Sequence, residues 1–431
     1  MEKQKVIDVL NSEMELATGC TEPAAIAFTA ATAAKHLNGA KTESVLVRAS
    51  GNMIKNAMAA GIPGTPYQGI EYAAAIGAMG GDPDKKLQVI SGVDSSVYAA
   101  AEKLVAAQKV SVKLADVTEK LYVDVTVKGG QNTARAVISG SHTNLVLIEE
   151  NGKAVFQHSA DGRQTEGIGP EEISSLLSVE KIFEFVNEID TENDPLDIIK
   201  ESISVNTAIS REGLMNDYGL KVGKNTKDEM EKGIIGKDMV SYAVSVTTAG
   251  ADARMAGAPF AVVSNSGSGN QGITATMPVV AVAKWNHDSE DKMIRAVTLS
   301  NLIAIYIKSR FGRLSALCGA TVAGTGAACG ITYLLGGDLK AVSFAIQNMI
   351  GSVTGMLCDG AKADCSLKIY TSINMAFQAA FMALKGIRVQ KTDGIVEDDV
   401  EKSIENFAVL GNRGSVGMDS LILKMMLQKT K

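Results

Sequence analysis

Five cysteines stand at positions 20, 318, 329, 358 and 365, and four of them fall between 318 and 365. Scattered core Cys rarely cluster so, and metal binding is the natural alternative to packing. An odd, sparse set in a chain of 431 residues does not read as a disulfide framework. Cys358-Asp-Gly-Ala-Lys-Ala-Asp-Cys365 is a C-x6-C segment, with Cys318 upstream in Arg313-Leu-Ser-Ala-Leu-Cys318. Zinc sites generally use closer pairs and a fourth Cys or His. The four histidines, at 36, 142, 158 and 287, are remote in sequence. Three soft thiolates with no fourth protein ligand suit an iron–sulfur cluster that keeps one iron open. An open iron is a Lewis acid for a substrate oxygen or sulfur. The competing reading is that these thiols simply pack, since free Cys is among the most buried residue types. Cys329, inside Gly324-Thr-Gly-Ala-Ala-Cys329-Gly, is read as core packing.

A second candidate is Ser264-Asn-Ser-Gly-Ser-Gly-Asn-Gln-Gly272, which lies between apolar stretches. Glycines bare the backbone N–H groups, and Ser, Asn and Gln add donors. Such a nest suits a carboxylate, above all at a helix start. A surface turn is the alternative. Asn265, Ser266, Ser268, Gly269, Asn270 and Gln271 are its candidate binding residues. Upstream, Arg254 could pair with a substrate carboxylate or an anionic cluster, and Asp252 beside it fits a structural salt bridge equally well. Cys20 stands in Thr18-Gly-Cys-Thr-Glu-Pro23, just before a helix that Thr21 can cap and Pro23 can open. The helix dipole there is expected to lower its pKa and favour a thiolate, able to act as a general base or as a further iron ligand. A buried structural Cys is the alternative.

The elements that must position these residues divide into two kinds. Residues 5–37 read as helix with a break at 18–23. Segments 44–49, 87–91, 110–114, 121–127, 134–138, 145–149 and 154–158 read as short strands. The 121–127 segment alternates as a half-buried antiparallel strand does, and Asn151-Gly152 marks a tight turn. The polar, Gly-rich stretch 159–172 marks a boundary. Beyond it the sequence is mostly helical and rich in Ala, Gly, Ser and Met. The expected fold is α+β, with an N-terminal α/β domain (1–165) built on a mostly antiparallel sheet. A helical cluster- and substrate-binding domain (170–431) follows. Hydrophobic residues make up 46%, charged residues 21%, and the net charge is −6. With no basic block, a nucleic-acid partner is not expected. The apolar run at 277–283 is far short of the roughly 20 residues that span a bilayer, and no signal-peptide pattern opens the chain. A cytoplasmic protein without a membrane partner is expected.

These motifs together resemble the L-cysteine desulfidase family, which is related to the iron–sulfur L-serine dehydratases of bacteria. The resemblance rests on Thr18-Gly-Cys-Thr-Glu-Pro23, on 264–278 ending in Ile-Thr-Ala-Thr-Met-Pro278, on Arg313–Cys318, and on Cys358-Asp-Gly-Ala through Cys365. It spans essentially the whole chain. It implies a [4Fe–4S] cluster on Cys318, Cys358 and Cys365, and cleavage of L-cysteine to pyruvate, ammonia and sulfide without pyridoxal phosphate. Cys20 matches the family's N-terminal functional Cys and stands where the serine dehydratases place a His. His142, in Gly140-Ser-His-Thr-Asn144, matches a further family segment, as do Asn52 and Lys55 in Gly51-Asn-Met-Ile-Lys-Asn56. The expected roles are Cys20 as Cα base with His142 second, and Asn52, Lys55 and Arg254 with the 264–272 loop on the substrate. A homodimer is the assembly the family implies.

Cysteine is the preferred substrate because a thiol, of pKa roughly 8.5, leaves with little acid help, whereas hydroxide needs protonation. L-serine is the closest alternative. A pyridoxal-phosphate lyase would account for Ser268-Gly-Asn-Gln-Gly272 and Gly324-Thr-Gly326, but no Schiff-base Lys motif precedes them and the cysteines stay unexplained. A redox sensor or electron carrier would normally fill all four ligand positions with Cys and needs no carboxylate loop.

Overall fold

The computed structural model describes residues 3–158, 168–311, 316–414 and 416–429. Of the expected boundary, 159–167 lie outside the described residues, as do Arg313, Leu314 and Ser315 before Cys318. The fold is mixed α and β, with an N-terminal sheet region and a helical C-terminal portion.

The chain opens with α1 (Lys3–Glu13), β1 (Leu16–Thr18) and α2 (Thr21–Lys35), so the expected break at 18–23 falls where a short strand gives way to a helix. Then come β2 (Ser44–Ala49), α3 (Gly51–Ala57), α4 (Ile70–Gly80), α5 (Ser95–Ala106), β3 (Val110–Leu114), β4 (Tyr122–Gly129), β5 (Asn132–Ser139), β6 (Leu145–Glu150) and β7 (Lys153–Gln157). Strands β2–β7 form one six-stranded sheet in the order β3-β2-β4-β5-β6-β7. Only β2 and β3 run parallel, as the helical crossover between them requires. Val45, Val47 and Ala49, then Val123, Val125 and Val127, then Ala134, Ala136 and Ile138 are buried at every second position. The Ala-rich α2 and α4 cover that face. The opposite face carries an ion-pair ladder. Arg135 bonds Glu149 (3.1 Å), which the register places across from it on β6, and Asp124 (2.9 Å), its diagonal neighbour on β4. Asn151 and Gly152, both with positive φ, make the tight β6–β7 turn.

One expected strand is absent. Residues 83–88 form a 3-10 turn opened by Asp82, whose side chain accepts from the Asp84 amide, and by Pro83. Val89 and Ile90 are buried beneath it. Their apolar character serves packing under a turn, which strand propensity alone does not distinguish.

The second half holds α6 (Pro170–Leu176), α7 (Val179–Glu188), α8 (Asp197–Met215), α9 (Val222–Glu231), α10 (Met239–Met255), β8 (Ala261–Val263), α11 (Gly269–Asn286), α12 (Glu290–Phe311), α13 (Gly319–Leu334), α14 (Leu339–Val353), α15 (Cys365–Leu384), α16 (Val400–Val409) and α17 (Val416–Gln428). The bundle is centred on α13, which is buried nearly throughout and packs on α11, α12, α14 and α15. Its small residues permit this: a Cβ on Gly326 would lie 2.2 Å from the Ser300 carbonyl of α12. Cys329 is wholly buried in α13, as its packing reading requires.

Two apolar cores result. One joins the sheet to α2 and α4 and takes in Leu423 of α17; the other joins the bundle and takes in Val6, Ile7, Val9 and Leu10 of α1. The first helix therefore packs with the bundle and the last with the sheet. Between them Cys20, Ala60 and Met255 form a small cluster against Ala361 and Cys365.

Candidate active site

A cavity of about 140 Å³ opens at this junction. Its walls come from 20–22, Asn52, Lys55, Asn56, Arg254, 266–268, Asn270, Gln271, Lys308, 317–320, Cys358, Gly360, Ala361, Cys365 and Ile369. Four long helices begin on it: α2, α11, α13 and α15. Cys20 and Cys318 are the N-cap residues of α2 and α13, Ser268 caps α11, and Cys365 is the first residue of α15. Each N-terminus presents roughly half a positive charge, so the cavity favours anions. The spacing of the motifs along the chain is thus the spacing of helix starts.

Cys318, Cys358 and Cys365 all line the cavity. Burial, then the neighbouring Cys358, pushes the Cys318 thiol up to about 12. Burial likewise raises Cys365 to about 11. The segments carrying Cys318 and Cys358 are held together by backbone bonds from Cys318 N to Met356 O (2.9 Å) and Cys358 N to Ala316 O (2.7 Å). Asp359 ties the Cys358 segment further. Burial would raise this carboxyl, but bonds from Lys362 (2.8 Å) and Lys368 outweigh burial and bring it to about 2. Among the described residues no three His, Cys, Asp or Glu side chains close around a single ion. A multi-metal cluster is wider than one ion, and the donor set fits it: three thiols, no imidazole, one shared cavity, and helix N-termini around an anionic group.

The expected lowering of the Cys20 pKa is reversed. The thiol does sit at the N-cap, but its side chain makes no capping bond, and burial pushes it up. Arg254 pulls it down and Glu22 pushes it up, and burial is the largest effect. Arg254 is 5% exposed. Its Nη2 donates to Gly19 O (2.9 Å) and its Nη1 to Asn270 Oδ1 (3.2 Å), while Nε meets no acceptor among the described residues. Gly19 turns with φ +73 against Pro63, which aims its carbonyl at the guanidinium.

Of the expected loop residues, Ser266, Ser268, Asn270 and Gln271 line the cavity. Asn265 does not. It is buried behind the loop, where its Oδ1 accepts from Gln271 Nε2 (3.1 Å) and Ser266 Oγ (3.0 Å) and its Nδ2 donates to Asn301. Gly269 is also absent from the lining; a Cβ there would fall 2.2 Å from Arg254 Nε, so this glycine makes room for the guanidinium. Asn52 and Lys55 line the cavity from α3. Lys55, 2% exposed, pairs with Asp419 of α17 (2.5 Å) and donates to Cys358 O (3.2 Å). His142 is not brought to the lining: it follows β5, two strands from the β2–α3 junction, a lateral offset of roughly 10 Å.

Sequence reasoning passed over Thr21, Glu22, Asn56 and Lys308, which all line the cavity. Lys308 lies in the last turn of α12, where a basic residue is ordinary. Here it is buried, and burial lowers it to about 8 while Cys358 and Cys318 hold it up. Its signal was a lone cation in the apolar run Ile303-Ala-Ile-Tyr-Ile-Lys308.

Residues 84–424 match the family model described as serine dehydratase alpha chain. The chain belongs to this family. The match takes in Arg254, the 266–271 loop, Lys308 and the three ligand-type cysteines. Similarity to whole proteins extends further. A UPF0597 protein of Oleidesulfovibrio alaskensis is 43% identical over 428 residues, covering 99% of each chain. One of Bacteroides fragilis is 41% identical over 429 residues, again 99% of each, and one of Dichelobacter nodosus is 40% identical over 427, covering 99% of this chain and 98% of that one. These matches also span the 20–56 segment that completes the cavity. As a serine dehydratase alpha chain family member the protein falls among lyases, and no helix among the described residues is long and apolar enough to cross a membrane.

Proposed function

We propose that the protein is an iron–sulfur-dependent, pyridoxal-phosphate-independent lyase that converts L-cysteine and water to pyruvate, ammonia and sulfide. The observation that carries this reading is the meeting of Cys318, Cys358 and Cys365 with Cys20 and buried Arg254 on one cavity. When bound, a [4Fe–4S] cluster on those three thiolates supplies a Lewis acid at its open iron. Arg254, with Asn270, Gln271 and Ser268 around it, binds and orients the substrate carboxylate. Cys20 moves the proton: its thiolate takes the Cα proton and its thiol returns it at Cβ after the leaving group has gone. The resulting imine hydrolyses to pyruvate and ammonia. The thiolate is disfavoured by burial and favoured by Arg254. His142, outside the lining, is given no part in this scheme.

Cysteine is preferred to serine because the described lining residues include no His to protonate hydroxide. Sulfide leaves as the conjugate base of an acid with pKa roughly 8.5 or below, and needs less help. L-serine elimination at the same site is the second reading, favoured by the family's description. The test is anaerobic purification, determination of iron and acid-labile sulfide, and a pyruvate assay with each amino acid. Iron with sulfide and turnover of cysteine is expected. Turnover of serine alone moves the substrate, and protein that never holds iron ends the reading.

A further inference from the structure

The cavity wall carries groups of opposite hydrogen-bonding sense. Donors come from the Arg254 guanidinium, whose Nε is without an acceptor among the described residues, and from the helix starts of α11 and α13. Among the described lining residues the carboxylate is that of Glu22. Its Oε2 accepts from Thr21 Oγ (3.1 Å) and its Oε1 from Asn56 Nδ2 (3.0 Å), so neighbours on α2 and α3 fix its plane. A carboxylate only accepts, so the Asn56 amide must turn its nitrogen to Glu22 and its oxygen away. That oxygen, Asn56 Oδ1, is buried and without a donor among the described residues, on a side chain 8% exposed. A charged acceptor and an unsatisfied neutral acceptor therefore stand side by side. An orphan buried acceptor is costly unless a ligand brings the missing donor. A primary ammonium is the complement, having three donors and no acceptor. Glu22 also lies close enough to Cys20 to raise its thiol, so an ammonium at Glu22 sits beside the group that handles the Cα proton.

We infer that Glu22, with Asn56 Oδ1, is the α-ammonium subsite of this cavity, and that it selects α-amino acids over the matching acids that lack the amino group. The inference deepens the elimination reading and rests on it for the amino-acid substrate. Neither residue was singled out from sequence: Glu22 is an acid in the first turn of α2, and Asn56 stands near the end of α3, both ordinary positions for their types.

L-alanine and propionate test it, because they differ in the ammonium group and cannot eliminate. Titration calorimetry on the anaerobically prepared full-length protein is expected to show L-alanine bound at least about tenfold tighter than propionate, as a charge-assisted hydrogen bond supplies. Glu22→Gln keeps the shape and still bonds Thr21 and Asn56. It should weaken L-alanine about tenfold to a hundredfold and leave propionate within about twofold. Asn56→Ala, a second variant, should weaken L-alanine and spare propionate. A Glu22→Gln protein that discriminates as the wild type does overturns the assignment. So does wild-type protein that binds the two acids equally, or binds neither, which needs no variant to fold. Pyruvate release from L-cysteine by the same preparation judges the elimination reading separately. Discrimination that Glu22→Gln abolishes, without pyruvate, leaves Glu22 as the ammonium site and removes the elimination.

Discussion

Gly269→Ala isolates the guanidinium from everything else at the site. Gly269 opens α11 with no positive φ, so Ala fits its backbone, and Ala is the better helix former by about 1 kcal/mol. The new methyl would lie 2.2 Å from Arg254 Nε, 2.7 Å from Cζ and 2.8 Å from Val262 Cγ2. Arg254 must yield by about 1 Å to reach ordinary contact, and it has little room: Nη2 is held by Gly19 and Nη1 by Asn270. A misplacement of about 1 Å at a positioning group costs up to about a hundredfold in rate. The overpacking itself costs about 1–3 kcal/mol of stability, partly offset by the helix gain. The expected result is a folded protein with unchanged iron and acid-labile sulfide and kcat/KM lower by about tenfold to a hundredfold. Steady-state pyruvate assays on both proteins, normalised to iron, read it directly. Wild-type kcat/KM in Gly269→Ala would show that Arg254 does not orient the substrate.

The cysteines separate cleanly. Cys329→Ala should keep full iron and activity at a stability loss of about 1 kcal/mol, whereas Ala at 318, 358 or 365 should abolish iron binding; metal analysis and thermal melts of each variant decide this. Asp419→Asn leaves Lys55 buried without its charge partner, so stability should fall by up to about 3 kcal/mol in a denaturant titration, and kcat/KM should fall with it because Lys55 also braces the Cys358 carbonyl. Asp252 gives a pH signature. It is 1% exposed, and burial lifts its carboxyl to about 6. The folded protein thus holds this proton more tightly than the unfolded chain, a contribution fully present below about pH 4 and lost as pH rises through 6. Asp252→Asn should therefore gain stability relative to wild type between pH 4 and 7, by on the order of 3 kcal/mol, and parallel unfolding curves that keep a constant gap would refute it.

Much of the fold was legible because alternation and turn chemistry are local. The 121–127 pattern, the Asn151-Gly152 turn and the Ala-rich helix after Pro23 declare themselves within a few residues. The segment at 87–91 misled because β-branched residues bury equally well under a turn as in a ladder. At the site, residue types with scarce alternatives were readable: three clustered Cys, a Gly/Ser/Asn loop, and an Arg in an Ala-rich helix. What could not be read was division of labour within a motif. Asn265 and Gly269 belong to the loop in sequence, yet one braces its neighbours and the other yields space, and only tertiary contacts with Asn301 and Arg254 reveal that. Glu22, Asn56 and Lys308 were hidden because each is commonplace at its position in a helix. The Cys20 pKa failed for the opposite reason: the local rule was sound, and burial from distant segments overrode it.

The exchange of end helices between the two cores bears on how the protein is made. The helix α1 is translated before the sheet, but the bundle it packs with is translated only after the whole sheet. The sheet is translated early, yet its core lacks Leu423 until α17 emerges. Domains commonly fold in the order of their synthesis; here neither core is complete until α17 has been made. The wall of the cavity near Lys55 closes with it. A group that binds at that junction meets a complete site only once α17 has been made, and expression of either half alone leaves both an exposed apolar face and half a site.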